Sequence, residues 1–166
     1  MYLFHNIGQR INSNYNLLSE VISCAAMGPI SFDGIYKNVW DNRECLRGLD
    51  VTMFIMGAYV GKDNSFDTGQ KLELYCSWDQ LMELHCDFGF KWGWHTWTHP
   101  NLTKLTDAEI IRECTPPFPM DTLAYPYGDV DERVSGIIKS MGYKSAWSVH
   151  QGSGEQWERK RQYFGW

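Results

Sequence analysis

The sequence predicts an α/β fold, a distorted, incomplete (β/α) barrel with parallel strands. Short strand-like apolar runs alternate with helix-like runs about five times along the chain. Such alternation is typical of a parallel sheet or barrel with helices outside. Capping-box spacings at Ser77–Gln80 and Thr106–Glu109 indicate the starts of two of these helices. A complete eightfold barrel needs about 250 residues, so we expect one shortened barrel domain over residues 1–166.

The predicted strands are short runs of β-branched, aromatic and aliphatic residues, of which Val51–Met56 is the clearest buried one. The first strand is Tyr2–His5, and Gly28–Phe32 leads into the second. The later strands are Phe90–Trp94, Thr122–Tyr125 and Lys144–Val149. Residues 162–166 resemble the start of a further strand. Truncation of the domain at its C-terminus therefore stays open as an interpretation.

Helices are predicted between these strands. Residues 17–27 are interpreted as a buried helix and loop, because Glu20 interrupts the apolar run and the basic lead-in of a signal peptide is missing. Glycine or proline follows the ends of the later helices. These helices are expected from about Val39 to Leu46, from Ser77 through Leu84, from Thr106 to about Cys114 and from Asp131 to about Met141.

The net charge and the short apolar runs exclude two classes of partner. Fifteen Lys and Arg against twenty Asp and Glu give a formal net charge of −5, so the chain lacks the basic face that non-specific nucleic-acid binding needs. No apolar run approaches the roughly 18 residues that span a bilayer. We expect no nucleic-acid partner and no membrane insertion. Without a signal peptide, the chain is expected in the cytoplasm or exported by another route.

The five cysteines, at positions 24, 45, 76, 86 and 114, are odd in number and widely spaced. The sequence has no Cys-x-x-Cys pair, which argues against a thiolate zinc site. A disulfide framework is not expected at this length either. The cysteines are therefore predicted to be small apolar residues in a reducing environment.

The segment from His95 to His99 is the strongest indication of chemistry. Two histidines four residues apart present both imidazoles to one cation if the segment coils through about one helical turn. Imidazole nitrogens suit zinc and similar divalent ions. By spacing alone, two surface histidines explain the pair equally well. The position directly after a predicted strand favours the metal site.

Two further segments place polar groups after predicted strands. Asp33 is a candidate general base or metal ligand, and an Asp that caps the next helix is the alternative. The segment Pro126–Gly128 can aim backbone N–H groups at an oxyanion, although by itself it is a turn. Chemistry in such folds lies where strands end and loops begin. The residues expected on one rim are Asp33, His95, Tyr127 and His150.

In their order, these segments resemble the polysaccharide deacetylase family of metal-dependent carbohydrate esterases. One strand end in that family has the sequence Thr-Phe-Asp-Asp-Gly, a later one has His-(Ser/Thr)-x-x-His, and a third ends in Pro-Tyr-Gly. The matching residues here are 31–35, 95–99 and 126–128. The resemblance extends over nearly the whole chain and implies the family's fold, a distorted, incomplete (β/α) barrel.

The resemblance also implies a chemistry. In that family the first Asp of the pair is the catalytic base, and the second Asp and both His hold a metal that activates the attacking water. Carried to this chain, Asp33 matches the base, and His95 and His99 match the metal ligands. The backbone N–H of Tyr127 matches the oxyanion donor. The implied cofactor is a divalent metal, zinc, and the implied partner is an N-acetylated glycan.

Three departures from the family pattern affect this site. Gly34 occupies the position of the metal-ligand Asp, which leaves two His where a catalytic zinc normally has three protein ligands. Ala124 lies where many relatives have an Arg that orients the base. The family's late Leu-x-His segment, which supplies a general acid, has no match before Trp166. His150 is the available substitute, and a plain loop His is the alternative.

Aromatic residues cluster in sequence around the predicted rim, and aromatic faces stack on sugar rings. The candidate sugar contacts are Trp97, Tyr125 and Tyr127. Packing in the barrel explains Trp92 and Trp94 at least as well as sugar contact does, because they alternate along a strand. His5 and His85 are expected to be structural.

The sequence therefore predicts a metal-dependent hydrolase that removes N-acetyl groups from an amino-sugar polysaccharide or oligosaccharide. Two alternatives stay open. One is a catalytically degenerate, carbohydrate-binding relative, because Gly34 replaces a metal ligand. The other is an unrelated metal hydrolase that uses the same His pair, which the order of the motifs disfavours.

Overall fold

The centre of the fold is a curled sheet of parallel strands, seen in a computed structural model that describes residues 1–8, 15–67, 71–149 and 154–163. The strands are β1 (Tyr2–Phe4), β2 (Asn6–Ile7), β3 (Tyr15–Asn16), β4 (Ile30–Asp33), β5 (Val51–Ile55), β6 (Lys91–Trp94), β7 (Thr122–Ala124), β8 (Ser145–Ser148), β9 (Arg159–Lys160) and β10 (Gln162–Tyr163). Their order across the sheet is β10-β1-β4-β5-β6-β7-β8-β9, and β2 and β3 pair separately. The predicted strands are confirmed, with ends that differ by at most two residues.

The helices begin where the sequence provides caps. They are α1 (Leu18–Ala25), α2 (Lys37–Asp41), α3 (Trp78–Cys86), α4 (Asp107–Glu113) and α5 (Glu132–Ser140). Ser77, Thr106 and Asp131 each accept a hydrogen bond from the backbone N–H three residues later. These bonds satisfy donors that a helix start otherwise leaves without a partner, so the predicted starts of α3, α4 and α5 are confirmed.

One predicted helix is wrong in its extent. The expected helix over residues 39–46 is divided into α2 and a 3-10 turn, Arg43–Leu46. Asn42 separates them with φ −100° and ψ 11°. Its side-chain amide donates to the carbonyl of Asn38 at 2.8 Å. Asn side chains compete with the helical backbone in this way, which explains why the α-helix ends here.

β9 and β10 together form the last strand of the barrel, and this strand lies between β8 and β1. β9 pairs with β8, β10 pairs with β1, and only Arg161 separates β9 from β10. The backbone N–H of Arg161 donates to Ser148, and that of Gln162 donates to Met1. The barrel therefore has seven strand positions rather than eight, which confirms the predicted incomplete barrel. The expected strand at 162–166 begins as predicted, and residues 164–166 lie outside the described ranges.

Alternation along β4 separates the apolar core from the barrel interior. Ile30 and Phe32 belong to the core between sheet and helices. Ser31 and Asp33 face the opposite way, and both contact Arg161. The two faces follow from the period of two in a strand, and they place a carboxylate inside the barrel at the carboxyl end of β4.

Trp92 and Trp94 on β6 pack as the strand period predicts. Trp94 is fully buried, and its indole N–H donates to the carbonyl of Glu113. Gly93, which lies between the two, points into the barrel, where a Cβ would lie 2.5 Å from the ring of Phe54. The small residue therefore leaves room for an aromatic ring inside the barrel.

Three cysteines, Cys24, Cys76 and Cys114, are buried as small apolar residues, which is what the sequence predicts for them. Cys45, in the 3-10 turn Arg43–Leu46, and Cys86, the last residue of α3, are exposed instead. In the described ranges, no helix has the length and apolar character needed to cross a membrane.

Candidate active site

A cavity of about 260 Å³ opens at the carboxyl ends of the central strands. Asp33 is the last residue of β4, His95 follows β6, and Tyr125 follows β7. All three line the cavity, together with His99 and Tyr127. The predicted convergence of Asp33, His95 and Tyr127 on one rim is therefore observed. His150, the fourth residue expected there, lies outside the described residues.

The ring of His95 has a defined orientation. Its Nδ1 lies 2.7 Å from the carbonyl oxygen of Ala124. Because a carbonyl only accepts, Nδ1 carries the proton and donates it to Ala124. The other ring nitrogen, Nε2, then carries no proton in the neutral ring and faces the cavity, as a metal ligand requires.

His99 approaches His95 by a loop rather than by the helical turn that the spacing predicts. Thr96 and His99 have φ values of 67° and 60°, a left-handed conformation that non-glycine residues adopt rarely. The backbone N–H of His99 donates to the Thr96 hydroxyl at 3.0 Å. Such strained backbone persists where the surroundings hold it, and it clusters at functional sites.

Glu113, the last residue of α4, holds this loop in place. Its carboxylate accepts from the backbone N–H of Thr98 at 2.8 Å and from the Thr98 hydroxyl at 2.9 Å. Its carbonyl accepts from the backbone N–H of Trp97. Glu113 is 8% exposed. No local pattern in the sequence indicates this role of Glu113, because its only local feature is a position at the end of a capped helix.

The two imidazoles fit a shared cation. Their Nε2 atoms lie 3.2 Å apart, and two ligands at about 2.0–2.1 Å from a tetrahedral zinc lie about 3.3 Å apart. Among the described residues, however, no group of three or more His, Cys, Asp and Glu side chains is arranged as a metal site. The His pair therefore fits the metal, and the described residues do not complete its ligand set.

Asp33 is the nearest carboxylate to the pair, and it is bound by Arg161. Its Oδ2 lies 3.5 Å from Nε2 of His95. Arg161 donates from Nη1 to Oδ1 at 2.5 Å and from Nη2 to Oδ2 at 2.7 Å. Arg161 is 3% exposed and Asp33 is 5% exposed. This buried two-bond pair explains why the carboxylate is not arranged as a third ligand.

Burial and neighbouring charge set the protonation of these groups. Burial lowers the pKa of His95, and burial together with the His95 ring lowers the pKa of His99 to about 3. Both rings are therefore neutral at pH 7, the form that binds metals. Burial raises the pKa of Asp33, but the Arg161 guanidinium outweighs it, and the pKa falls to about 2.

Gly34, which the resemblance aligns with the metal-ligand Asp of the family, has tight surroundings. Its φ is +60°, and a Cβ there would lie 2.6 Å from the Met56 methyl carbon and 3.1 Å from the Tyr75 ring. Asp tolerates this left-handed conformation better than most residues do. A carboxylate at position 34 therefore requires the end of the Met56 side chain to move.

The turn at Tyr127 lies against the His pair. Tyr127 has φ 60° and ψ 0°, and its ring, 62% exposed, packs edge-on against His99 with centroids 4.8 Å apart. At the next residue, Gly128, a Cβ would lie 2.9 Å from the backbone nitrogen of Val149. The close approach explains the glycine, and both Tyr127 and Gly128 line the cavity.

The other predicted contacts have different environments. Tyr125 lines the cavity but is fully buried, and its hydroxyl donates to the Trp157 carbonyl. Trp97 packs edge-on against Trp94 and donates its indole N–H to Thr115. Sugar contact by these residues stays a prediction. His5 lines the cavity, whereas the sequence indicated a structural role only.

Comparison with known proteins identifies relatives of this chain. A sequence model of the polysaccharide deacetylase family matches residues 30–146, which is most of the chain. Chitin deacetylase 1 of Cryptococcus neoformans var. grubii is 46% identical over 72 residues, which cover 38% of this chain and 15% of that protein. The chain therefore spans only a small part of this curated relative.

Solved structures share the fold. A polysaccharide deacetylase from Bacillus cereus has a TM-score of 0.74 at 17% identity, covering 98% of this chain and 63% of that chain. IcaB from Ammonifex degensii has a TM-score of 0.71 at 15% identity, covering 89% and 82%. Streptococcus pyogenes deacetylase PplD, solved in complex with acetate, has a TM-score of 0.65 at 13% identity, covering 96% and 73%.

The fold and the family match together place the chain among the α/β barrels of a deacetylase family. More narrowly, the chain belongs to the polysaccharide deacetylase family. The resemblance in the three motifs is thereby confirmed at the level of the family.

Proposed function

We propose that this protein removes N-acetyl groups from an amino-sugar polysaccharide or oligosaccharide, with a divalent metal, zinc, held by His95 and His99. One observation carries the proposal. The Nε2 atoms of the two imidazoles lie 3.2 Å apart at the cavity, and the Asp33 carboxylate lies 3.5 Å from one of them. A cation-binding pair next to a carboxylate that accepts protons is what amide hydrolysis by water requires.

The bound metal would polarise the amide carbonyl and lower the pKa of a water. The protein supplies the remaining functions. The Nδ1–H···O bond to Ala124 holds the His95 ring so that Nε2 faces the cavity. Asp33 is ionised at neutral pH, and its Oδ2 lies 3.5 Å from Nε2 of His95. Oδ2 is therefore the atom that accepts the proton of the attacking water.

The Tyr127 turn is the proposed oxyanion donor. Tyr127 has a left-handed backbone and lines the cavity, and its ring packs against His99. A backbone N–H there stabilises negative charge on the carbonyl oxygen, since preorganised donors cost no reorganisation during the reaction. The exposed ring of Tyr127 is the best placed of the proposed sugar contacts, because it is at the cavity and accessible. His150 stays the proposed general acid.

A degenerate, carbohydrate-binding protein is the second candidate. The observation that favours it is Gly34, where the family pattern has a metal ligand and where Met56 occupies the space beside the backbone. Such a protein would keep the cavity and bind the glycan without releasing acetate.

Acetate release and metal content test the two candidates together. The protein is loaded with zinc, its bound metal is measured, and acetate release from N-acetylated glucosamine oligomers is followed with and without a chelator. Metal binding with chelator-sensitive acetate release supports the hydrolase. Oligomer binding without acetate release contradicts it and supports the degenerate relative.

Asp33→Asn tests the base in the same assay. We expect acetate release to fall at least about 100-fold, because general-base catalysis contributes roughly 100- to 10,000-fold. The matched control is Asp41→Asn, since Asp41 forms an exposed pair with Lys37. Equal activity of the Asp33→Asn variant and the wild type would contradict the role of Asp33.

A further inference from the structure

A buried ion pair joins the C-terminal strand to the cavity. Arg161 forms two hydrogen bonds with Asp33, one to each carboxylate oxygen. The two side chains are 0% and 5% exposed. The two residues are 128 positions apart in the chain. A planar guanidinium that binds both oxygens fixes the orientation of the carboxylate as well as its charge.

The barrel holds this guanidinium from several sides. The backbone of Arg161 donates to β8 at Ser148, and the next residue donates to Met1, directly before β1. The side chain lies over the Phe54 ring of β5, at 4.9 Å, and Nη1 also reaches the Ser31 hydroxyl of β4 at 3.3 Å. Four strands therefore determine where the guanidinium lies, and the Asp33 carboxylate follows it.

Asp33 is close enough to the His pair to have two incompatible roles. Oδ2 is 3.5 Å from Nε2 of His95, so a small rotation would bring the carboxylate onto a cation held by the imidazoles. A carboxylate bound to the metal no longer accepts the proton of the water. The hydrogen bonds to Arg161 oppose that rotation, because both carboxylate oxygens would have to leave a buried cation.

We propose that Arg161 is a positioning residue that keeps Asp33 off the metal and available as the base. The inference rests on the proposed function, and it makes the last strand a part of the active site. It also predicts that loss of Arg161 affects activity and metal affinity in opposite directions. A purely structural role would lower both.

Arg161→Lys is the first test, since lysine keeps the charge and lacks the two-bond fork. We expect kcat to fall about 100-fold, the scale of a 1 Å misplacement, with KM within about twofold of the wild type. Zinc affinity, measured by competition with a chromogenic chelator, should be equal or tighter. The control is Arg159→Lys in the same strand, whose side chain is exposed. A kcat equal to the wild type, or a parallel loss of kcat and zinc affinity, would overturn the proposal.

Arg161→Met and the double variant Asp33→Asn/Arg161→Met form the second test. The single variant frees the carboxylate, so we expect about tenfold tighter zinc binding than in the wild type. The double variant has no carboxylate to turn towards the metal and should lose this gain. It also has no unpaired buried charge, so we expect it to be the more stable of the two variants. If the single variant does not fold, the Arg161→Lys result decides. Equal zinc affinity of the single and double variants contradicts the proposal.

Zinc affinity separates this inference from the proposed function. If the wild type releases no acetate from any N-acetylated oligomer, the proposed function fails, while the zinc measurements still compare Arg161→Met with the double variant. If the wild type is active and Arg161→Lys equals it, only the role of Arg161 fails.

Discussion

The two sides of the cavity are constructed differently. On one side, His95 and His99 lie in one five-residue segment, and a nearby helix residue, Glu113, holds the loop between them. On the other side, the Asp33 carboxylate depends on Arg161, from the far end of the chain. The first side is a local arrangement that a motif describes. The second is a tertiary arrangement, and the sequence around Asp33 contains nothing that indicates its partner.

Removal of an imidazole should give the largest effect. His95→Ala and His99→Ala should each weaken zinc binding by more than about 100-fold, since loss of groups behind the ligands already costs 10- to 100-fold. Equilibrium zinc competition measures the change. His85→Ala is the control, because His85 lies on α3 and its ring bonds to the Phe90 carbonyl. Unchanged zinc affinity in either of the first two variants would refute the ligand role of that residue.

In the metal-free protein, acid should lower the free energy of unfolding in two pH ranges, one for each side of the cavity. The pKa of His99 is lowered to about 3 by burial, so the unfolded chain binds more protons below pH 6.5, and stability falls as the pH drops from about 6.5 to 3. The pKa of Asp33 is lowered to about 2, so the stability that the ionised carboxylate contributes is lost as the pH falls from about 4 to 2. Urea unfolding at several pH values measures both.

The variant His99→Gln assigns the upper range. Without a titrating ring at position 99, the decline in unfolding free energy between pH 6.5 and 4 should be shallower than in the wild type. An identical decline would show that His99 is not responsible for it.

Loss of the support behind the His pair should give an intermediate effect. Glu113→Gln keeps the shape but weakens the bonds to Thr98, and we expect about 1–3 kcal/mol of lost stability with weaker zinc binding. Glu132→Gln is the matched control, since Glu132 is an exposed helix residue. If Glu113→Gln lost stability and kept its zinc affinity, the loop would not depend on this carboxylate.

Addition of a carboxylate at position 34 should give the smallest effect. Gly34→Asp is expected to tighten zinc binding about tenfold, and more so together with Met56→Ala, which removes the side chain that a Cβ would meet. Weaker zinc binding in both backgrounds would show that position 34 does not face the metal. Gly34→Ala in the same backgrounds separates the carboxylate from the strain of the backbone.

Much of the fold was predictable because its determinants are local. Strand runs such as Val51–Met56 and caps such as Ser77 appear in the structure where the pattern places them. The helix over 39–46 is the exception, and an amide that bonds to the backbone at Asn42 is the cause. The His pair was also predictable, but its geometry was not. The segment forms a loop with left-handed backbone, because Glu113 and Thr96 hold it.

The sequence by itself determined the family, the order of strands and helices, and the residue types at the carboxyl ends of three strands. These depend on short-range pattern, since alternation, caps and turns act within a few residues. Only the tertiary structure decided which charges meet. Arg161 reaches Asp33 because the last strand lies between β8 and β1, and His5 lines the cavity because β1 ends beside β4. Pairing of buried charges depends on how distant strands assemble, and no local pattern in the chain records it.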